Sequence, residues 1–202
     1  MALSLQSTRF TQTLARAILR LTSWKLEINL PPAGKYVLVG APHTSGWDRW
    51  HALLIAHGAG IKIHWVGKDS LFRKPLGGFM RFLGGIPVAR HTRSNFVEQI
   101  VAAFNRVEQM VLAIAPEGTR KVSGHWRTGF YYIAAGARVP IALGYVDYRT
   151  RTLGIGDDVT PRGDIPADFA RIRQFYAGKV GRRPERQGQI QLLPPPVEET
   201  QS

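Results

Sequence analysis

Two side chains able to move a proton stand close together early in the chain, in the run His43-Thr44-Ser45-Gly46-Trp47-Asp48. A carboxylate bonded to one imidazole nitrogen fixes the tautomer and stabilises the imidazolium, which leaves the other nitrogen as a base near neutral pH. On one continuous helix, residues five apart lie about 140° out of register and do not meet. They meet if His43 sits in a loop and Asp48 in the first turn of the next helix, with Gly46 letting the chain fold back. A loop histidine followed by a helix-capping aspartate uses the same letters, so the pair gains its meaning from where it stands in the fold.

A second group is Glu117-Gly118-Thr119-Arg120, in which glycine permits close backbone approach, threonine offers a hydroxyl and arginine a planar fork suited to phosphate. The alternative is a surface turn with a local Glu117 to Arg120 ion pair. Arg90 closes a third run, Gly84-Gly85-Ile86-Pro87-Val88-Ala89-Arg90, and Lys68 opens a stretch where Arg73, Lys74 and Arg81 alternate with Leu71, Phe72, Leu76, Phe79, Met80, Phe82 and Leu83. Such a mixture suits lipid headgroups beside acyl chains, and equally a core helix with a solvated basic side. With no cysteine, a thiolate nucleophile, a disulfide or a Cys-based zinc site is excluded. Ser45 is a formal nucleophile, although no G-x-S-x-G elbow surrounds it. His51, His57 and His64 are dispersed without a zinc-binding signature, and no metal is expected.

The elements that must position these groups follow from the hydrophobic pattern. Lys35 to Gly40 reads as a buried strand, and further strands are expected at 61–66, 85–88, 111–115 and 139–146. Helices are expected near 47–59, 75–83, 94–108, 128–137 and 166–178. This alternation predicts an α/β domain of three layers, a mostly parallel sheet flanked by helices. His43 and Glu117 then both follow strands, at the sheet edge where open α/β folds bind ligands. Ahead of the domain lies an N-terminal amphipathic helix, since Phe10, Leu14, Ala17, Ile18, Leu21 and Trp24 share an arc of roughly 120° opposite Arg9, Arg16 and Arg20, with Leu19 as the exception. Its apolar face suits a membrane interface or docking on the protein's own core. The expected division is a helical segment at 1–30, a domain at 31–180 and a flexible Pro-rich tail at 181–202.

At 202 residues and 44% hydrophobic, the chain suits one packed domain and excludes wholesale disorder. Its 27 basic and 14 acidic residues leave a net charge of +13. Residues 1–93 hold 13 basic and 3 acidic side chains, net +10, so the excess is N-terminal. The field calls for a polyanionic partner, an anionic membrane surface or a phosphorylated substrate. Aromatic residues form no evident stacking platform, and nucleic acid is not expected. No apolar run nears the roughly 18 to 20 residues of a spanning helix, and no cleavable leader is visible, which together suggest a cytoplasmic protein, peripheral on the inner face of the membrane.

Taken in order, these runs resemble the lysophosphatidic acid acyltransferase (1-acyl-sn-glycerol-3-phosphate acyltransferase) family, the glycerolipid acyltransferases with an HxxxxD motif. His43 to Asp48 matches its first motif, Gly84 to Arg90 resembles its second, Glu117 to Arg120 matches its third and Val139-Pro140-Ile141 looks like its fourth. The chain departs from the family at Pro87 and Ala89, where an aromatic and an acidic residue are usual, and at Leu143, where a second proline is usual. The resemblance implies transfer of a fatty acyl group from acyl-CoA or acyl carrier protein to a hydroxyl of a lysophospholipid or glycerol-phosphate acceptor, with no cofactor. His43 would be the base and Asp48 its orienting carboxylate. Arg90, Gly118, Thr119, Arg120 and Lys68 would bind substrate, and Glu117 would order the acceptor or Arg120. An Asn at 48 would be expected to misdirect the His43 tautomer. A thioester or lipid ester hydrolase using the same pair, or a non-catalytic polyanion-binding protein, are the alternatives.

Overall fold

The computed structural model describes residues 7–192 except 74, 83, 89–92, 120, 121 and 123, and only the backbone of 68, 71, 82, 88 and 93–95. Helix α1 (Arg9–Leu21) opens on a reciprocal cap: the Thr8 hydroxyl accepts the Thr11 N–H, and Thr11 Oγ1 accepts that of Thr8. Strands β1 (Lys25–Ile28) and β2 (Lys35–Ala41) follow, then helix α2 (Asp48–Ala59) and strand β3 (Ile63–Lys68). After a short 3-10 turn come α3 (Gly77–Phe82), β4 (Gly85–Val88), α4 (Arg93–Asn105) and β5 (Met110–Ile114). The chain continues through α5 (Gly129–Ala137), β6 (Ile141–Asp147), β7 (Thr152–Val159) and α6 (Ile165–Tyr176).

The seven strands form one sheet in the order β1-β7-β6-β2-β5-β3-β4, parallel throughout except for the β6–β7 hairpin. Alternation along β2 sends Val37, Val39 and Ala41 into a core shared with α4, α5 and α6, while Tyr36 and Leu38 face a second core with α1 and α2. Trp126, Phe130, Tyr131 and Phe169 fill the larger core. This is the expected three-layer α/β arrangement. Because β2, β3, β4, β5 and β6 run the same way, their carboxyl ends share one edge of the sheet. Val39 is in register with Ile114 of β5 and Leu143 of β6, so the loops after these strands emerge side by side.

Three features differ from expectation. The first is β1 and β7: four residues with two charges, and Thr152–Val159 with two glycines and two aspartates, carry little strand propensity of their own. Pairing supplies it, β7 lying antiparallel to β6 and parallel to β1. The expected boundary near residue 30 therefore falls beyond a strand of the main sheet. The second is α1. Leu19, the exception to its apolar arc, is the residue that docks, 2% exposed beside buried Ala15, and Arg16 donates two hydrogen bonds to the Gly58 carbonyl. The arc itself points outward, with Phe10 74% and Leu21 86% exposed and Leu14 and Ile18 also exposed. The third is the segment 181–192, which packs on the domain instead of forming a free tail. Arg183 N–H bonds Thr44 Oγ1, Trp126 N–H bonds the Gln191 carbonyl, and Ile190 and Leu192 join the larger core.

Candidate active site

The loop 42–47 leaves the carboxyl end of β2, and Asp48 begins α2, where a carboxylate is favoured by the helix dipole. The fold-back needs no left-handed Gly46, which is not among the glycines of positive φ in the described residues. Asp48 itself closes the loop: its Oδ2 accepts the N–H of Thr44 at 2.8 Å and of Ser45 at 2.7 Å. The same oxygen lies 3.5 Å from His43 Nδ1, with the carboxylate 5% and the imidazole 22% exposed. The pair thus has one oxygen turned to a ring that is only partly buried. Ser45 is buried and its hydroxyl oxygen accepts the Trp47 N–H, which engages it in the turn.

Glu117 follows β5 and reaches across to the first motif, its Oε1 accepting the His43 backbone N–H at 3.0 Å. Its Oε2 is buried without a hydrogen-bond partner among the described residues. Burial pushes the carboxyl up to about 7, with the nearby Asp48 charge adding to the rise and the N–H groups of Glu117 and His43 opposing it. Glu117 was expected to order the acceptor or Arg120; its observed bond is to the histidine loop. Gly118 turns with φ +65°, and Thr119 is exposed in the same turn. The Arg127 side chain lies across Gly118, so close that a Cβ there would come within 2.8 Å of its Nε, while the Arg127 N–H bonds the Pro116 carbonyl.

Of the other expected site residues, Lys68 ends β3 at the same sheet edge, with its side chain outside the described residues. Arg90 and Arg120 lie wholly outside them. Among the described residues, no group of three histidines and carboxylates could hold a metal ion.

Several residues that the motifs do not mark also gather here. The Tyr148 hydroxyl donates to Asp48 Oδ1 at 3.0 Å and lies 3.2 Å from His51 Nδ1. Burial and the adjacent Asp48 charge hold this phenol well above its usual range, so it stays a donor. Burial pulls His51 below its ordinary value, Arg182 adding to the effect against the Trp47 carbonyl and Asp48. Arg182 stacks over the Trp47 ring at 5.1 Å. Gly181 fits tightly, since a Cβ there would meet Thr44 Oγ1 at 2.7 Å. For Tyr148, Gly181 and Arg182 the sequence signal was a place in turns, in Asp147-Tyr148-Arg149-Thr150 and Gly181-Arg182-Arg183-Pro184.

The chain is similar in fold to the crystal structure of the 1-acyl-sn-glycerophosphate (LPA) acyltransferase PlsC from Thermotoga maritima, at a TM-score of 0.53 and 15% identity, covering 84% of this chain and 78% of that one. No curated sequence matches significantly. No helix among the described residues is long and apolar enough to cross a membrane. The family model described as Acyltransferase matches residues 24–142, more than half of the 202, a span that contains both the histidine loop and the glutamate that holds it. A sheet-edge His/Asp pair inside a family match of that extent has one reading: the chain belongs to the acyltransferase family.

Proposed function

We propose that the chain transfers a fatty acyl group from acyl-CoA or acyl carrier protein to a hydroxyl of a lysophospholipid or glycerol-phosphate acceptor. The observation that carries this reading is the His43 imidazole at the sheet edge with Asp48 Oδ2 3.5 Å from its Nδ1. His43 Nε2 takes the hydroxyl proton as the acceptor oxygen attacks the thioester carbonyl. The tetrahedral intermediate expels the thiolate, which recovers that proton from the imidazolium, leaving an ester and a free thiol. Asp48 orients the ring and offsets its charge; Glu117 holds the histidine backbone from the neighbouring strand. The acceptor phosphate is assigned to the Gly118–Thr119 turn, with Arg127, Arg120, Arg90 and Lys68 as its cationic surroundings.

Access to a lipid is assigned to α1. Its outward Phe10, Leu14, Ile18 and Leu21, and the exposed Leu76 and Phe79 of the α3 region, present apolar area on a half-chain of net charge +10. Each basic group near an anionic surface contributes on the order of 1 kcal/mol, and inserted apolar side chains add to it. The result is reversible, peripheral binding to the inner face of a membrane. The test is mass spectrometry of products from purified protein given acyl-CoA or acyl carrier protein with a panel of lysolipids and glycerol phosphate. Acylated acceptor supports the reading. Free fatty acid alone, at a rate indifferent to acceptor, points to a hydrolase and overturns it.

A further inference from the structure

A carboxylate on a single sp³–sp² torsion rotates over a broad, two-fold well, so aiming one oxygen at a neighbour requires other contacts. Asp48 has them on both sides. The N–H groups of Thr44 and Ser45 hold Oδ2, and the Tyr148 hydroxyl holds Oδ1. The polarity of the last contact is determined by its own neighbours. His51 Nδ1 is 3.1 Å from the Trp47 carbonyl and 3.2 Å from the Tyr148 hydroxyl. A carbonyl only accepts, so the hydrogen is on Nδ1, where it is shared between the Trp47 carbonyl and the tyrosine oxygen, while the tyrosine directs its own hydrogen to Asp48. Donors run in one direction, from His51 through Tyr148 to the carboxylate that faces His43.

The turn presenting Tyr148 is itself tied down. Asp147 accepts the Arg149 N–H, the Thr150 hydroxyl and the Val180 N–H, and the Tyr148 N–H bonds the Val180 carbonyl. Edge contacts with Trp24 at 5.1 Å and His51 at 5.4 Å hold the ring. The hydroxyl oxygen is thus held at Asp48 by β6, the segment after α6, α2 and Trp24, which lies between α1 and β1.

We propose that Tyr148 is a positioning residue for acyl transfer: oriented by His51, its hydroxyl sets the rotation of the Asp48 carboxylate so that Oδ2 faces the His43 ring. The inference rests on the reading of His43 and Asp48 as the catalytic pair. Tyr148→Phe keeps the ring and its stacking while deleting the donor. Its kcat should fall about tenfold, with the KM of donor and acceptor unchanged, because only the transition state feels the misaimed carboxylate. His51→Phe, which keeps an aromatic ring beside Trp24 and deletes the orienting N–H, should show the same pattern at roughly two- to fivefold. It also keeps the inference testable if Tyr148→Phe folds poorly by circular dichroism.

The decisive measurement is a double-mutant cycle with Asp48→Asn. Tyr148→Phe should cost less than about twofold further in that background, since the charge that Tyr148 aims at His43 is gone and the Thr44 and Ser45 N–H groups alone select the amide oxygen. Equal losses in both backgrounds, a change confined to KM, or no loss at all would overturn the positioning role. A His43→Ala control separates the two levels. If folded His43→Ala turns over like wild type, the catalytic reading itself fails; if it is dead while Tyr148→Phe and His51→Phe are unimpaired, only the present inference fails.

Discussion

Asp48→Asn tests the site most sharply, because the structure predicts an outcome different from the one its sequence suggests. Asp48 Oδ2 accepts two backbone N–H groups, from Thr44 at 2.8 Å and Ser45 at 2.7 Å. An amide nitrogen in that place would oppose both donors, and each buried donor left unpaired costs about 1–3 kcal/mol. The amide oxygen is therefore forced to the Oδ2 position, and the nitrogen goes to Oδ1, where Tyr148 can rotate its hydrogen away and accept. The Oδ2 position is also the one 3.5 Å from His43 Nδ1. An acceptor still faces the ring, so the tautomer survives and only the charge is lost. Two unit charges 3.5 Å apart attract by about 5 kcal/mol at an effective dielectric near 20. The imidazolium is only partly formed in the transition state and His43 is 22% exposed, which reduces the loss to roughly 2–3 kcal/mol, or about 30- to 150-fold in kcat. The assay is thiol release from acyl-CoA with a lysolipid acceptor across the neutral pH range. The plateau should fall by that factor, and the acid limb should move to lower pH because the anion 3.5 Å from the ring, which favours the imidazolium, is gone. A fall of about 10⁴-fold with an unmoved limb would show an inverted tautomer and refute the pinning argument.

His43→Ala should fold normally and lose about 10²- to 10⁴-fold in turnover, measured as acylated product, since its backbone bond to Glu117 is retained. Glu117→Gln should alter the pH dependence of stability. The wild-type carboxyl rises from 4.5 to about 7 on folding, so the folded state binds the proton more tightly, and stability falls as pH rises from the unfolded value through the folded one. The loss is at most about 3 kcal/mol, complete above pH 7, and chemical denaturation between pH 5 and 8 should show a flatter profile for the glutamine variant. Gly181→Ala should lower kcat with little global destabilisation, because its Cβ would meet Thr44 Oγ1 at 2.7 Å and shift the loop that carries His43; an unaltered rate would contradict that coupling. On α1, Leu19→Ala should cost about 2–5 kcal/mol in denaturant midpoints, whereas Leu14→Glu with Ile18→Glu should leave the midpoint nearly unchanged and abolish sedimentation with anionic vesicles.

Local pattern was enough to read the alternation of strands and helices, the parallel sheet, and the placing of His43 and Glu117 after strands; that those strands are neighbours came from the sheet order. Periodicity within a dozen residues reports which face of an element is buried, and a buried strand followed by a loop reports the sheet edge. The amphipathy of α1 was equally legible, but the side on which it docks was not: Leu19 lies outside the apolar arc and is nevertheless the buried residue. β7 was invisible because Thr152–Val159 is a strand only through its pairing with β6 and β1. With that hairpin unseen, so was Tyr148, which stands 100 residues from the aspartate it bonds. The bond from Glu117 to the His43 backbone spans 74 residues, and Arg183 reaches Thr44 across 139. Residue types and their local spacing named the chemistry; which oxygen of Asp48 faces His43, and what holds it there, depended on contacts between distant segments that form only when the chain packs.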